Sequence, residues 1–191
     1  MEIADTEHSR KQQLDYYILK NCWKVYTFSE AIYEDFKKYS SYPEKVHVFG
    51  LPRFDALYNR DQFKLNEEIK RKAKGRKIVL FKVHFPKIIN ENGRIVLVTP
   101  DIREYIEFAN HIEDFDDFFF VFMPHPRFKE FTEEPNIMYQ TEELLDILNS
   151  KDNVYIDNSD DYRPSLVNAD YIIVDRSAVM VEAGTVGVPV L

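Results

Sequence analysis

The sequence has one cysteine and no long hydrophobic run. Cys22 can form no disulfide within the chain, which fits a protein of a reducing compartment. No apolar stretch approaches the roughly 20 residues that a membrane-spanning helix needs, and the polar N-terminus MEIADTEHSR has no features of a signal peptide. We therefore expect a globular, cytoplasmic protein whose only membrane contact would be peripheral, at the cytoplasmic face.

Motifs that identify several enzyme classes are also absent. The chain has no GxGxxG, GxxxxGK[ST], HExxH, CxxC or GxSxG, so the dinucleotide, P-loop, zincin, zinc-ribbon and serine-hydrolase interpretations lack their residues. The histidines are not spaced as metal ligands, and they lie at His8, His47, His84, His111 and His125. We predict neither a metal nor a cofactor.

The net charge of −8 is unevenly distributed. A negative chain is a poor general binder of nucleic acid, because phosphate backbones need a positive surface. Residues 70–90 nevertheless contain eight Lys or Arg and no acid. This basic block could attract anionic lipid or a polyphosphate chain, although a solvated helix end and linker would look the same.

Apolar runs alternate with amphipathic stretches, a pattern typical of βαβ units in a Rossmann-like α/β fold. With 45% apolar residues the chain can build a sizeable core. Strands are predicted at 25–28, 46–49, 78–83, 118–123, 154–156, 171–174 and 188–191. Helices are predicted at 29–40, where Ser29 is the N-cap, and at 101–114, 140–149, 160–168 and 178–186. Segment 50–63 indicates a connection between lobes, and 84–100, which contains NENG, a surface loop.

Two strand ends carry residues suited to phosphate chemistry. The apolar run at 118–123 leads into Pro124-His125-Pro126-Arg127, where the prolines restrict the backbone around a candidate acid, base or phosphate donor. A plain loop histidine is the alternative. His84 follows another predicted strand and could line the same cleft, or serve only as a loop residue.

The second strand end lies at 171–174 and is followed by a polar turn and a helix. Asp175, Arg176, Ser177 and Ala178 would start that helix, whose N–H groups and positive dipole end suit a phosphate. Glu182, about one turn further, could reach sugar hydroxyls. An ordinary Asp-x-Ser helix cap has the same pattern, so both interpretations stay open.

Four segments follow one another in an informative order, and they are KVHVFGLPRFDAL (45–57), KIVLF (77–81), MPHPRF (123–128) and NVYIDNSDDYRPSLVNADYIIVDRSAVMVEAGTVGVPVL (153–191). Over residues 24–191 this order resembles the CDP-glycerol glycerophosphotransferase family of teichoic acid synthesis. The resemblance implies the nucleotide-binding lobe of a GT-B fold at 59–191, and a remnant of the first lobe with the linker at 1–58.

The resemblance also implies roles for individual residues. The family linker motif Gly-x-Pro-Arg-x-Asp corresponds to Gly50, Pro52, Arg53 and Asp55. His125 matches the catalytic-site histidine that faces the CDP-glycerol phosphates, with Pro126 and Arg127 beside it. Asp175 and Ser177 match the phosphate loop, whereas Arg176 and Ala178 replace its usual Tyr and second Ser. FKVHFP stands where the family has Ala-Pro-Thr-x-Arg.

The family's upstream Trp-His-Gly element, which carries the proposed catalytic base, has no counterpart in the sequence. We therefore expect a fragment that binds nucleotide weakly and is inactive alone. The complete enzyme would transfer glycerol phosphate from CDP-glycerol to a polyol-phosphate or lipid-linked acceptor, releasing CMP.

The tail supports an alternative. It is similar to UDP-N-acetylglucosamine 2-epimerase, another GT-B enzyme, in Glu182-Ala183 and in the Gly-x-Pro-Val of residues 187–190, although the double glycine of that enzyme is missing. Under either resemblance Glu182 is the candidate ribose ligand. A GT-B epimerase or glycosyltransferase is thus one alternative, and a catalytically dead GT-B-like binding module is another.

Overall fold

The computed structural model describes residues 11, 14, 18–84, 88–91, 94–97, 101–128, 135–175 and 177–191. The chain divides into two compact units, Met1–Asp55 and Ala56–Leu191. The predicted lobe boundary after residue 58 concerns a larger fold and stays a prediction.

The first unit contains a small parallel sheet. Its elements are α1 (Ile18–Asn21), β1 (Val25–Thr27), α2 (Glu30–Tyr39), a 3₁₀ turn (Pro43–Lys45) and β2 (Val46–Val48). Val25 pairs with Val46 at the start of the parallel ladder. Ser29 caps α2 as predicted, because its hydroxyl accepts a hydrogen bond from the Ile32 N–H at 3.3 Å.

Segment 50–63, which was predicted as a connection between lobes, contains helical structure, and its inter-lobe role stays a prediction. The segment forms α3 (Pro52–Tyr58), which crosses the unit boundary, and a 3₁₀ turn (Arg60–Gln62). Pro52 stands at the first helical position, where its fixed φ favours a helix, and Leu57 is fully buried. Gly50 has φ +86° just before the helix, a conformation that favours glycine. Gly50 and Pro52 therefore stand at the start of a helix.

The second unit is built on a four-stranded parallel sheet. Its elements begin with α4 (Glu67–Ala73), β3 (Lys77–Lys82), β4 (Ile88–Glu91), β5 (Arg94–Leu97), α5 (Ile102–His111), a 3₁₀ turn (Ile112–Asp114) and β6 (Phe118–Phe122). They continue with α6 (Pro135–Asn149), β7 (Val154–Ile156), α7 (Arg163–Val167), β8 (Tyr171–Val174) and α8 (Val179–Val186). The strand order is β7-β6-β3-β8, and Val190 adds one parallel bridge to Ile172. The predicted strands and the Rossmann-like α/β class are confirmed, although 188–191 makes only that bridge.

The loop prediction for 84–100 was wrong. Strands β4 and β5 pair antiparallel there, with Ile88 opposite Leu97 and Glu91 opposite Arg94. The sequence between them is Asn-Gly, the strongest short-range signal for a hairpin. Interpreting NENG as generic loop chemistry missed it.

Aromatic side chains fill the core on one face of the sheet. Phe81 contacts Phe122 and Phe108 edge-to-face, with ring centroids 5.2 and 5.4 Å apart. Buried residues of α5 and α6, including Ala109 and Leu144, close this layer. Such edge-to-face pairs stabilise a core beyond the area they bury. The rigid sheet holds the strand ends in fixed positions.

Arg60 joins the C-terminal ends of two helices in this unit. Its guanidinium donates one hydrogen bond to the Val167 carbonyl at 2.9 Å and another to the Val186 carbonyl at 3.1 Å. These carbonyls lie in the last turns of α7 and α8, where a cation also opposes the negative dipole end. Arg60 thereby stabilises both helices.

Candidate functional site

Three predicted site residues meet at the carboxyl edge of the sheet. His84 follows β3, His125 follows β6 and Asp175 follows β8, and β3 lies between the other two strands. The imidazole ring centroids of His84 and His125 are 5.1 Å apart. Ligands of open α/β sheets bind at this edge, so these three side chains lie where a ligand of such a sheet would bind.

The backbone turn after β6 fixes the tautomer of His125. The Arg127 N–H donates to Nδ1 of His125 at 3.1 Å, and the Phe128 N–H donates to the His125 carbonyl at 2.7 Å. Because Nδ1 accepts, a neutral His125 carries its proton on Nε2. The ring can therefore donate a hydrogen bond from Nε2. Pro126 and Arg127 are exposed beside it.

Asp175 connects two strand ends and one helix. Its Oδ1 accepts from the His84 backbone N–H at 2.8 Å, and its Oδ2 accepts from the Tyr105 hydroxyl. Burial, together with this hydrogen bond and the carboxylate charge, raises the pKa of Tyr105, which stays a neutral donor. Sequence reasoning missed Tyr105, since a tyrosine on an amphipathic helix looks like a core residue.

Helix α8 begins directly after this carboxylate. The Ser177 hydroxyl accepts from the Val179 N–H at 3.3 Å, and the Ser177 carbonyl accepts from the Met180 N–H at 3.1 Å. Ser177 therefore occupies the first N–H of the helix from the position before the N-cap residue, and both interpretations of this turn stay predictions. Ala178 is exposed at the N-cap position, and Arg176 lies outside the described residues. A phosphate at this helix start would share these donors with Ser177.

Glu182 is buried rather than presented to solvent. Its side chain is 1% exposed, and its Oε2 accepts a hydrogen bond from the Tyr162 hydroxyl. A ribose could reach the carboxylate only if Tyr162 moved or shared it. The ribose role of Glu182 stays a prediction, with Tyr162 as an additional residue to consider.

Lys82, which the sequence reasoning passed over, lies beneath the same edge. It is the last residue of β3, is 7% exposed, and its Nζ lies 5.2 Å from the centroid of the Tyr162 ring. Burial lowers the pKa of Lys82, and the negative charges of Asp157 and Glu182 oppose that shift only in part. Burial of an ammonium costs free energy unless nearby negative charges offset it, and Asp157 and Glu182 supply those charges here.

Asp157 is a second buried charge that was missed. It follows β7 and is 7% exposed, and it accepts hydrogen bonds from the Ser165 hydroxyl at 2.9 Å and the Ser159 N–H at 3.0 Å. The signal was present in the sequence, because a carboxylate directly after a parallel strand lies at the carboxyl edge. Lys82, Asp157, Tyr162 and Glu182 form a polar cluster, which we call the edge cluster.

The linker motif residues lie apart from the edge cluster in the chain. Gly50 precedes α3, and Pro52, Arg53 and Asp55 form its first turns in the first unit. Their inter-lobe role stays a prediction. Within the described part of the chain, no group of three metal-ligating side chains comes together, and no helix is long and apolar enough to cross a membrane.

Comparisons with known proteins give structural likeness only. No family model and no curated protein matches the sequence. A Listeria monocytogenes protein assigned as UDP-N-acetylglucosamine 2-epimerase superposes with a TM-score of 0.60 at 19% identity, over 87% of this chain and 41% of its own. The epimerase of Neisseria meningitidis, solved with UDP-GlcNAc, gives 0.54 at 18% identity, over 90% and 44%.

The wall teichoic acid polymerase TagF superposes with a TM-score of 0.55 at 17% identity, over 100% of this chain and 44% of its own. The chain thus spans less than half the length of these neighbours. At such identities the likeness shows the fold alone, which is a Rossmann-like α/β fold.

Proposed function

We propose that the chain binds the nucleotide-activated donor of a GT-B enzyme at the carboxyl edge of its four-stranded sheet. The observation that carries the proposal is the convergence of His84, His125 and Asp175 at the ends of three adjacent strands. Residues 59–191 would form the nucleotide-binding lobe, and residues 1–58 a part of the other lobe with the linker.

The reaction we favour is transfer of glycerol phosphate from CDP-glycerol to a polyol-phosphate or lipid-linked hydroxyl. The acceptor oxygen would form a bond to the phosphorus that bears glycerol, and the bond to the departing CMP would break. The hydroxyl proton would pass to a general base, which in the resembled family belongs to the upstream Trp-His-Gly element. His125 Nε2–H and the N–H groups that start α8 would stabilise the negative charge on the phosphates. The order of the sequence motifs and the likeness to TagF support this choice.

A specific observation favours a second candidate. Glu182-Ala183 and the Gly-x-Pro-Val of residues 187–190 resemble the epimerase pattern, and two epimerases are among the structural neighbours. Gly187 ends α8 at φ +71°, in the left-handed region that favours glycine at a helix end. A UDP-sugar enzyme would use the same helix start for its phosphates.

Nucleotide selectivity separates the two candidates. The 191-residue protein would be titrated with CMP, CDP-glycerol, CDP-ribitol and UDP-N-acetylglucosamine by calorimetry and thermal shift. We expect stabilisation by the cytidine compounds, about 2.7 kcal/mol at a ligand concentration about 100 times Kd. Stabilisation by the UDP sugar alone would move the assignment to the second candidate. Failure of every nucleotide to bind would overturn the proposal and favour a dead module.

A further inference from the structure

A wide basic cavity opens along the outer edge of strand β7. Its volume is about 910 Å³, near the top of the range of roughly 300–1000 Å³ found for ligand pockets. The C-terminal end of α4, the turn into β3, the C-terminal end of α6 and β7 itself line it. Five cations contribute, which are Arg71, Lys72, Lys74, Arg76 and Lys151, against the carboxylates of Asp116 and Asp152.

This charge contrasts with the rest of the chain. The protein carries a net charge of −8, yet the lining residues alone carry 5 − 2 = +3, a sum that does not include Glu68 and Glu113, the ion-pair partners of Lys72 and Lys151. Helix C-termini commonly attract cations to their dipole, which accounts for some of the lysines at the end of α4. Lys151 likewise follows the C-terminal end of α6, and it brings a cation from a second helix end to the same space.

Two of the five cations remain available for a ligand. Lys72 pairs with Glu68 at 3.3 Å, and Lys151 pairs with Glu113 at 2.8 Å. Arg76 donates to the carbonyls of Ala73 and Lys72. By contrast, Arg71 and Lys74 are exposed and form no ion pair with any residue among those that the structure describes.

The shape and lining of the cavity narrow the class of ligand. Base stacking needs an open aromatic face, but the Nζ of Lys72 lies 5.4 Å from the centroid of Tyr155, the only aromatic side chain among the cavity's described lining residues. A flat membrane surface favours projecting cations with apolar anchors, whereas these cations line a concavity. A flexible chain of phosphates fits a concave, cationic and mostly polar site.

We propose that this cavity binds a linear phosphate polymer, through Arg71 and Lys74 as its main ligands. The site is separate from the carboxyl-edge residues His84, His125 and Asp175, none of which lines it. Each phosphate would be bound by charge-assisted hydrogen bonds, with a bidentate contact from the Arg71 guanidinium. Affinity should fall as salt rises, because binding releases ions from the polymer.

The test uses the 191-residue protein and fluorescently labelled sodium polyphosphate in anisotropy titrations, with orthophosphate as the monomer comparison. We expect binding of the polymer, little of the monomer, and a decrease in affinity with sodium chloride. The double variant Arg71→Glu/Lys74→Glu should bind at least about tenfold more weakly. Lys64→Glu/Lys70→Glu is the charge-matched control, since both are exposed lysines outside the cavity, and Lys70→Glu alone tests the same helix outside the cavity.

Three results would overturn the proposal. One is equal binding by the double variant and the wild type, with circular dichroism showing that both are folded. Another is an equal loss in either control, which would indicate nonspecific attraction. The third is binding to phosphatidylglycerol vesicles, but not to polyphosphate, that the double variant loses. Nucleotide titration of the double variant keeps this test separate from the carboxyl-edge site, where its affinity should be unchanged.

Discussion

The carboxylate of Asp175 accepts the backbone N–H of His84 at 2.8 Å, so the residue after β8 fixes the residue after β3. The same carboxylate holds the Tyr105 hydroxyl of α5. One side chain therefore aligns two strand ends and a helix at the carboxyl edge. Asp175 therefore acts as a positioning residue for the candidate site, because its carboxylate binds protein donors.

Asp175→Ala should lower the free energy of unfolding by about 2 kcal/mol, because two hydrogen-bond donors lose a charged acceptor. Tyr105→Phe removes only one of these bonds and should cost about 1 kcal/mol. Urea denaturation measures both. Equal stability of Asp175→Ala and the wild type would mean that water replaces the carboxylate at no cost.

His125→Ala should weaken binding of CDP-glycerol by about tenfold, since the Nε2–H donor to the phosphates is lost. The fold should be unaffected, because the histidine is only half-buried. Calorimetric titration gives the affinity. The control is His111→Ala, which removes an exposed histidine that contacts Asp114 at 3.3 Å. Similar affinities for the two variants would remove His125 from the site.

Lys82→Met should destabilise the protein at pH 7, because the buried carboxylates of Asp157 and Glu182 lose the cation that lies near them. Burial lowers the pKa of Lys82 in the folded protein below its ordinary value of about 10.4. The wild type should therefore gain stability as pH rises from the folded pKa to about 10.4, and the variant should lack this rise in denaturation measured against pH. Higher stability of Lys82→Met at pH 7 would show that the burial cost of the ammonium exceeds its attraction to the two carboxylates.

Lys77→Met tests a lysine of the same strand whose pKa is shifted in the opposite direction. Lys77 is exposed, and its hydrogen bond to Asp170 raises its pKa. A raised pKa stabilises the fold below the unfolded value and loses that effect as pH rises through the folded one. Lys77→Met should thus be neutral or slightly destabilising at pH 7. Greater stability of Lys77→Met than of the wild type at pH 7 would contradict a stabilising role for the Lys77–Asp170 pair.

Two glycines of α8 should respond oppositely to alanine. Gly184 lies inside the helix with open space where a methyl group would be added, so Gly184→Ala should stabilise by roughly 0.5 to 1 kcal/mol. Gly187 ends the helix at φ +71°, so Gly187→Ala should destabilise by about 1 kcal/mol even though the space is equally open. Thermal denaturation of both variants measures backbone strain without a change in contacts.

The sequence predicted the sheet because buried parallel strands are continuous apolar runs, and β3, β6 and β8 are of that kind. It placed His125 and Asp175 correctly at strand ends, since each polar residue follows such a run. It missed Lys82, because a lysine that ends an apolar run looks like the exposed end of a strand. Only the positions of α7 and α8 show that this side chain is enclosed.

The remaining errors have a common physical origin. No helix was predicted in segment 50–63, although a glycine at positive φ two residues before a proline can precede a helix start. The Asn-Gly pair between β4 and β5 is the sequence signal that predicts the hairpin. The hydrogen bond of Tyr162 to Glu182 joins residues 20 positions apart, and no local pattern encodes such a contact.

Arg60 links the C-terminal turns of α7 and α8, while Tyr162 and Glu182 link the two helices near their N-termini. Hydrogen bonds therefore connect the two helices at both ends, and rotation of either helix would break at least one of them. A nucleotide that bound Glu182 would have to displace the Tyr162 hydroxyl, and Arg60 would still hold the C-terminal ends of both helices together.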